Sequence, residues 1–262
     1  MRRLDRTFQK IGISKQPGLV TYITAGDPTL ERSADILQAL DEAGADVLEV
    51  GAPFSDPLAD GPIIQRASER ALASGTTLPK VLDMVAQVRK KISAPIVIFS
   101  YANPILRMGE ASFVTAARRA GVDAVLILDL PVEEAVQFRQ RLEEQGIDMI
   151  FLLSPTTTED RMRKMAELGS GFLYVISRLG VTGIQEELAG GIENMVNRIR
   201  KISKLPIALG FGISKPEHVC EVGRWADAAV VGSSLVKIIA EVGDSQDLVS
   251  RVQEHVRWLK AS

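Results

Sequence analysis

Two carboxylates in the segment LEVGAPFSDPLADGP, residues 48–62, have a placement suited to proton transfer. Glu49 lies in the apolar run 47–50, where an ionised side chain would lack water and would need a partner or a function. Asp60 follows a proline-rich stretch, whose fixed φ angles favour one loop conformation. A buried acid has a raised pKa, which suits a general acid and base. The pair predicts an acid–base site with Glu49 as its central group.

Each of these residues also has a structural interpretation. Glu49 could pair with a neighbouring lysine or arginine, and Asp60 followed by Gly61 is an ordinary turn sequence. Phe54 in the same loop could contact another protein, because an aromatic side chain on a loop is exposed unless it packs down.

Glycine-bearing turns form a second candidate site, for an anion. They lie at 180–183, 210–212 and 232–234. Glycine lets backbone N–H groups approach an anion, and Ser233 or Ser234 could cap a short helix through 236–239 whose dipole favours negative charge. We therefore predict a phosphate site; left-handed turns without a ligand are the alternative.

A long polar segment at 178–191 carries glycine at both ends. We interpret it as a mobile lid that closes over a phosphate ester and brings Thr182 toward Asp60. A solvated surface loop is the alternative.

Eight short apolar segments are predicted to be the strands that position these residues. The phrases that contain them begin at Gly18, Ala43, Pro95, Ala120, Glu144, Leu168, Pro206 and Trp225. Between these segments, apolar residues recur at intervals of three and four, which predicts helices at 30–43, 78–92, 111–120, 133–145 and 192–202. Three glycines suit the ends of helices, namely Gly44, Gly121 and Gly146. Three aspartates suit the starts of the strands that follow, namely Asp46, Asp123 and Asp148.

This alternation of strand and helix predicts parallel strands joined by right-handed crossovers. Eight such units in 262 residues favour a (β/α)8 barrel as a single domain over 1–262. An open doubly wound sheet is the runner-up, but no GxGxxG motif follows the first strand.

Composition narrows the possible partners. The formal net charge of -2 gives no electrostatic reason to expect binding to nucleic acid or to a membrane surface. Neither His218 nor His255 lies near a cysteine or carboxylate cluster with metal-ligand spacing, so no metal site is predicted. The single cysteine, Cys220, and the lack of an apolar leader or a membrane-spanning run predict a cytoplasmic protein.

Seven motifs are distributed along nearly the whole chain. They are YITAGDP at 22–28, LEVGAPFSDPLADGPIIQRA at 48–67, YANPI at 101–105, DLPVEE at 129–134, SRLGVTG at 177–183, GFGIS at 210–214 and VGSSLVKII at 231–239. Together they resemble the tryptophan synthase alpha chain family. The resemblance implies a TIM barrel with an extra N-terminal helix and a short phosphate-site helix after strand 8. It also implies a lyase that cleaves indole-3-glycerol phosphate into indole and glyceraldehyde 3-phosphate, with no metal or organic cofactor in this chain.

The resemblance also implies residue roles. Glu49 would shuttle protons at the glycerol hydroxyl and at indole C3, Asp60 would hold the indole N–H, and Thr182 would couple the lid to Asp60. The indole pocket would be lined by Tyr22, Phe99, Leu126, Tyr174 and Phe211. The phosphate would be held by Gly183, Gly212, Gly232 and Ser233.

In the family, indole passes to a beta chain that carries pyridoxal phosphate, in an assembly of two alpha and two beta chains. The contact surface implied here comprises Pro53, Phe54, Asp56, Pro57, Asn103 and Asp129. A lyase that works alone and releases indole, a sugar-phosphate isomerase on the same barrel, and a catalytically silent barrel that activates a partner are the alternatives.

Overall fold

The eight strands close into a parallel barrel. The computed structural model describes residues 1–176, 185–210 and 212–261, apart from the side chains at 185–190. The strands are β1 (Gly18–Thr24), β2 (Val47–Gly51), β3 (Ile96–Ser100), β4 (Ala124–Ile127), β5 (Asp148–Leu153), β6 (Leu173–Ile176), β7 (Ile207–Gly210) and β8 (Ala228–Val231). They pair in sequence order, and β1 pairs with β8 to complete the cylinder. The predicted (β/α)8 fold is confirmed, and the open doubly wound sheet is wrong.

Helices surround this barrel and cover its N-terminal end. They are α1 (Arg3–Ser14), α2 (Leu30–Glu42), α3 (Pro62–Ala73), α4 (Leu78–Val88), α5 (Ala102–Met108), α6 (Glu110–Ala120), α7 (Ala135–Glu144), α8 (Glu159–Leu168), α9 (Gln185–Ile202), α10 (Pro216–Val222), α11 (Ser233–Val242) and α12 (Leu248–Lys260). Within the described part of the chain, none of them combines the length and apolar character needed to cross a bilayer. The organisation as a single domain stays a prediction.

The apolar residues divide into two buried layers because side chains alternate along each strand. Leu48 and Val50 of β2 point outward into the layer between the barrel and its helices. Val47 of the same strand belongs to the inner layer that fills the barrel. A strand buried on both faces needs an apolar residue at nearly every position, which explains why the strands read as continuous apolar runs.

The predicted N-terminal helix is present, and it closes one end of the barrel. Leu4, Phe8 and Ile11 recur at helical spacing on one face of α1, and all three are buried with the inner layer. The ring of Phe8 lies 5.4 Å from that of Phe172, just before β6. Since this end is covered, access to the barrel interior is from the C-terminal ends of the strands.

A repeated polar contact fixes the N-terminal ends of the strands in pairs. A side-chain oxygen just before each even-numbered strand accepts the backbone N–H at or near the start of the preceding odd-numbered strand. The pairs are Asp46 with Leu19 at 2.8 Å, Asp123 with Ile96 at 2.8 Å, Ser170 with Met149 at 3.0 Å and Asp227 with Ile207 at 2.6 Å. Each aspartate also pairs with a basic side chain in or next to a helix, namely Lys260 of α12, Arg89 directly after α4, and Arg200 of α9, respectively.

The predicted turns between helices and strands are confirmed. Gly44, Gly121 and Gly146 have φ values of 93°, 77° and 69°, in the region that favours glycine. Each stands at the end of a helix, where a left-handed residue stops the helix and directs the chain into the next strand.

Candidate active site

Glu49 lies inside the barrel, in the middle of β2. Its exposure is 0%, and neither carboxylate oxygen has a hydrogen-bond partner among the described residues. Burial raises the pKa of Glu49 to about 8, because the charged form loses its hydration. The position of Glu49 beside Asp60 suggests that it ends its strand, but β2 continues two residues further, to Gly51. The alternative of a lysine or arginine partner is wrong for the described part of the chain.

Aromatic and aliphatic side chains line the chamber around this carboxylate. Tyr22 on β1 is in register with Glu49, and its ring lies 5.1 Å from that of Phe99 on β3 at an interplanar angle of 71°. Phe99 is in register with Leu126 on β4, and Tyr174 of β6 is buried in the same inner layer. The structure therefore brings together Tyr22, Phe99, Leu126 and Tyr174, four of the five residues predicted to form an aromatic pocket.

Two glycines make room for the tyrosine rings. A Cβ at Gly51 would lie 2.2 Å from the Tyr22 hydroxyl oxygen, and one at Gly210 would lie 3.1 Å from that of Tyr174. The first distance is too short for any side chain, so glycine is required at position 51. The role of Gly51 was not predicted, because its only signal in the sequence is a glycine at the end of an apolar strand.

Asp60 enters the same chamber from the loop between β2 and α3. It directly precedes Gly61, the residue that caps α3. The Tyr101 hydroxyl donates to Asp60 Oδ2 at 3.1 Å and accepts from the Ala59 N–H at 3.1 Å. Partial burial raises the pKa of Asp60 to about 6, opposed by the hydrogen bond from Tyr101. No role was predicted for the Tyr101 side chain. Its position directly after β3 is the signal in the sequence that could have indicated a site residue.

Both carboxylates act on the same two tyrosines. Burial raises the pKa of Tyr22, and the charges of Asp60 and Glu49 raise it further. Burial likewise raises the pKa of Tyr174, with further contributions from Glu49 and Asp60. A charge acts on a group strongly only at short range, so the two acids face one chamber, which has Tyr22 and Tyr174 on its wall.

The loop that carries Asp60 is fixed at its base and exposed at its tip. Phe54 packs its ring 5.0 Å from that of Tyr101, so it is half-buried rather than fully exposed. The Gln65 side-chain amide donates to the backbone carbonyls of Asp60 at 2.9 Å and Pro57 at 3.3 Å. Leu58 at the tip is 93% exposed. The base can hold Asp60 in place while the tip is free to contact another molecule.

The described glycines of two predicted anion turns, Gly212 and Gly232, follow β7 and β8 at the C-terminal end of the barrel. Gly232 caps α11, which begins at Ser233 and runs for 10 residues. Val231 pairs with Thr21, so Gly232 lies next to Tyr22, and a Cβ at Gly232 would be 3.4 Å from that of Tyr22. Gly212, after β7, has a φ of 70° and is exposed. Backbone N–H groups at the start of α11 are therefore available beside the aromatic pocket.

Two details of this region differ from the sequence analysis. Neither Ser233 nor Ser234 caps α11, since Gly232 holds the cap position without a side-chain hydrogen bond, and the helix is longer than 236–239. Of the predicted lid at 178–191, the part from Gln185 onward belongs to α9. Thr182, Gly183 and Phe211 lie outside the described residues, as does the remainder of the glycine turn at 180–183.

The residues predicted to contact a partner lie on the same side of the barrel. Asn103 is exposed on α5, and Asp129 accepts the Ala102 N–H at the start of that helix, at 2.7 Å. Pro53, Phe54, Asp56 and Pro57 belong to the loop that carries Asp60. Leu106 on α5 is 60% exposed, close in sequence to Asn103. Exposed apolar and polar side chains after β2, β3 and β4 therefore lie on one side of the mouth of the chamber.

No group of three or more histidine, cysteine, aspartate or glutamate side chains in the described ranges is arranged to hold a metal ion. Among the residues that the structure describes, Glu49 and Asp60 are the acids of the chamber, and Tyr22 and Tyr174 accompany them.

The barrel and its buried acids define a class of protein. A closed parallel barrel with ionisable groups at the C-terminal side of its strands is the arrangement of (β/α)8-barrel enzymes. The comparisons with known proteins agree. The family model described as "Tryptophan synthase alpha chain" matches residues 8–262.

Individual relatives match over nearly their full length. The tryptophan synthase alpha chain of Geotalea daltonii is 48% identical over 261 residues, covering 100% of this chain and 98% of that protein. That of Arabidopsis thaliana is 39% identical over 260 residues, covering 99% and 94%.

Solved structures agree with these matches. The crystal structure of tryptophan synthase subunit alpha from Legionella pneumophila superposes with a TM-score of 0.91 at 37% identity, covering 99% and 97%. A chain of the tryptophan synthase a2b2 complex from Pyrococcus furiosus gives a TM-score of 0.87 at 39% identity, covering 94% and 98%. The chain belongs to the tryptophan synthase alpha chain family, which confirms the resemblance seen in its motifs.

Proposed function

We propose that this chain is a carbon–carbon lyase that cleaves indole-3-glycerol phosphate into indole and glyceraldehyde 3-phosphate. The observation that carries the proposal is Glu49: a fully buried carboxylate without a hydrogen-bond partner among the described residues, in an aromatic chamber that it shares with Asp60. A raised pKa keeps part of Glu49 protonated near neutral pH, so one group can both give and take a proton.

The reaction is a retro-aldol cleavage with a balanced proton count. Protonated Glu49 donates its proton to indole C3, and positive charge develops on the ring nitrogen. The resulting Glu49 carboxylate accepts the proton of the adjacent glycerol hydroxyl. The bond between indole C3 and the glycerol carbon breaks, its electron pair restores the aromatic indole, and the former hydroxyl carbon becomes the aldehyde of glyceraldehyde 3-phosphate.

Asp60 stabilises the charged intermediate. With a pKa of about 6 it is mainly ionised at neutral pH, so its carboxylate can accept a hydrogen bond from the indole N–H. The interaction strengthens as positive charge develops, and an interaction that is strongest in the transition state accelerates the reaction. Tyr101 holds Asp60 Oδ2 from the other side.

The two ends of the substrate are recognised by different chemistry. The indole ring would lie against Tyr22, Phe99, Leu126 and Tyr174, with Phe211 as a further pocket residue by the family pattern. The phosphate would bind at Gly212, Gly232 and Ser233, beside the N-terminus of α11, with Gly183 completing the site by the same pattern. Thr182 would link the closing segment to Asp60.

We further propose a beta-chain partner. The support is the exposed rim formed by the Asp60 loop and α5, together with the match to a chain from an a2b2 complex. Indole would pass to the beta chain, whose pyridoxal phosphate carries the next step, and the assembly would be α2β2. The chain itself would need no cofactor, and a free thiol at Cys220 suits a reducing, cytoplasmic location.

The test measures indole release from indole-3-glycerol phosphate by the purified chain, alone and with a tryptophan synthase beta chain. We expect weak activity alone, a large increase with the partner, and loss of at least a hundredfold in kcat for Glu49→Gln, because acid–base groups contribute about 10² to 10⁴ in rate. Glu167→Gln, at an exposed position on α8, is the matched control. Absence of indole release by the wild type in both conditions, or an active Glu49→Gln variant, would contradict the proposal. Full activity without a partner would indicate a lyase that works alone.

A further inference from the structure

A hydrogen-bonded chain of three residues lies behind the phosphate turns. The Ser234 hydroxyl lies 3.4 Å from the Ile213 carbonyl oxygen, and His255 Nε2 on α12 lies 3.1 Å from Ser234 Oγ. The hydroxyl has one proton, and the carbonyl can only accept, so Ser234 donates to Ile213. His255 Nε2 must then carry a hydrogen and donate to Ser234 Oγ.

This chain joins the two turns that flank the proposed phosphate position. Ser234 is the second residue of α11, directly after Ser233, and Ile213 directly follows Gly212. The strands that lead into the turns, β7 and β8, are neighbours in the barrel. The Ser234 side chain is thus a bridge between the two turns, and His255 fixes that side chain from outside.

The second histidine acts on the same region. His218 Nδ1 accepts the backbone N–H of Ser214 at 3.3 Å, one residue beyond Ile213. The turn after β7 is therefore held by a side chain from α10 as well as by Ser234. Ile213 itself is 2% exposed, so its position is also fixed by packing.

Packing around His255 directs its ring at Ser234. Burial lowers the pKa of His255, so the neutral imidazole predominates at neutral pH. Its ring lies 5.6 Å from that of Trp258 on the same helix, and α12 packs against α11. The imidazole is held by its neighbours on one side and directed at Ser234 on the other.

We propose that Ser234 and His255 are positioning residues for the phosphate group of the substrate. They touch neither the indole ring nor the reacting carbons; they hold the turns at Gly212 and at Gly232 and Ser233 at the separation that a phosphate requires. Preorganised donors bind an anion more tightly because no ordering is needed on binding. This inference rests on the proposed function, since it assigns the phosphate of that substrate to these turns.

One ligand and one pair of substrates separate this role from a general loss of structure. Glycerol 3-phosphate binding is measured by calorimetry for the wild type, Ser234→Ala and His255→Ala. Steady-state kinetics then compare indole-3-glycerol phosphate with indole-3-glycerol, which lacks the phosphate. We expect both variants to weaken glycerol 3-phosphate binding about fivefold, the effect of one hydrogen bond, and to raise KM for the phosphorylated substrate similarly. Kinetic constants for the dephosphorylated substrate should stay unchanged.

His255→Gln supplies the rescue, because its amide nitrogen can occupy the place of Nε2 and donate to Ser234. We expect it to restore most of the affinity. Matched controls are Ser250→Ala and Gln253→Ala, also on α12, whose hydrogen bonds go to Asp247 and Glu42. Should His255→Ala fail to fold, Ser234→Ala alone decides the question, since it removes only one oxygen.

Three outcomes would overturn the inference while leaving the function intact: unchanged phosphate affinity in Ser234→Ala, equal losses with both substrates, or no recovery in His255→Gln relative to His255→Ala. A wild-type chain that neither binds glycerol 3-phosphate nor releases indole would instead contradict the proposed function itself.

Discussion

The burial of Glu49 predicts that this residue makes the protein less stable as pH rises. Its pKa is about 8 in the folded chain, against 4.5 for the free side chain. The folded state therefore holds the proton more tightly than the unfolded state. The stabilisation that results is fully present below pH 4.5, decreases as the pH rises, and is lost once the pH passes about 8.

The size of the effect follows from linkage. Each unit of pH between the two pKa values changes the free energy of unfolding by about 1.4 kcal/mol for one group. Between pH 5 and pH 8 the contribution of Glu49 should decrease by about 3 kcal/mol, allowing for partial titration at each end. Glu49→Gln has no such proton and lacks this decrease. The variant should therefore gain about 3 kcal/mol in stability relative to the wild type over this range.

Urea unfolding followed by circular dichroism at several pH values measures this difference directly. Subtracting the wild-type value from that of Glu49→Gln cancels the titration of every other group to first order. It also removes any constant cost of burying the glutamine amide. Glu167→Gln is the control, because it makes the same substitution at an exposed position on α8, outside the chamber. A difference for Glu49→Gln that stays flat from pH 5 to pH 8 would refute the argument that Glu49 is a buried group with a raised pKa.

The remaining predictions concern the chamber. Because Glu49 must be protonated and Asp60 ionised, kcat/KM for indole release should decrease above about pH 8 and below about pH 6. Tyr101→Phe removes the hydrogen bond that lowers the Asp60 pKa, so the acidic limb should move to higher pH and activity should fall about tenfold; an unmoved limb would contradict this. Gly51→Ala places a Cβ 2.2 Å from the Tyr22 hydroxyl oxygen and 2.6 Å from the ring carbon that carries it, and thermal unfolding should show a loss of about 1–3 kcal/mol in stability. Tyr22→Phe in the same chain should not restore the loss, because the ring carbons remain too close to the new Cβ.

The parts of the fold that depend on local pattern could be read from the sequence. Strands buried on both faces are apolar throughout, as in β3 and β4, and the glycines at 44 and 121 mark helix ends because only glycine readily adopts that conformation. The start of α9 could not be read in this way. Glycines at 190 and 191 suggested a loop, but the preceding QEEL, at 185–188, consists of strong helix formers. The helix therefore begins at Gln185 and includes both glycines.

For the candidate site, the sequence shows which residues are chemically unusual, but it does not show which residues they contact. Glu49 stood out because a charged residue in an apolar strand is chemically unusual. Tyr101, Gly51 and the bridge from Ser234 to His255 depend on which strands and helices become neighbours, and each of these residues is unremarkable in its own segment. A pattern along one strand shows which face is buried. It does not show which ring fills the space opposite.

The paired contacts at the N-terminal ends of the strands have a practical consequence. Asp46, Asp123, Ser170 and Asp227 join the strands two by two at the end remote from Glu49. These hydrogen bonds do not involve the loops at the C-terminal ends of the strands. Those loops can therefore be shortened, exchanged or redesigned for another substrate without removing the contacts that stabilise the barrel. A library for new activities should therefore vary the mouth of the barrel and leave these four side chains untouched.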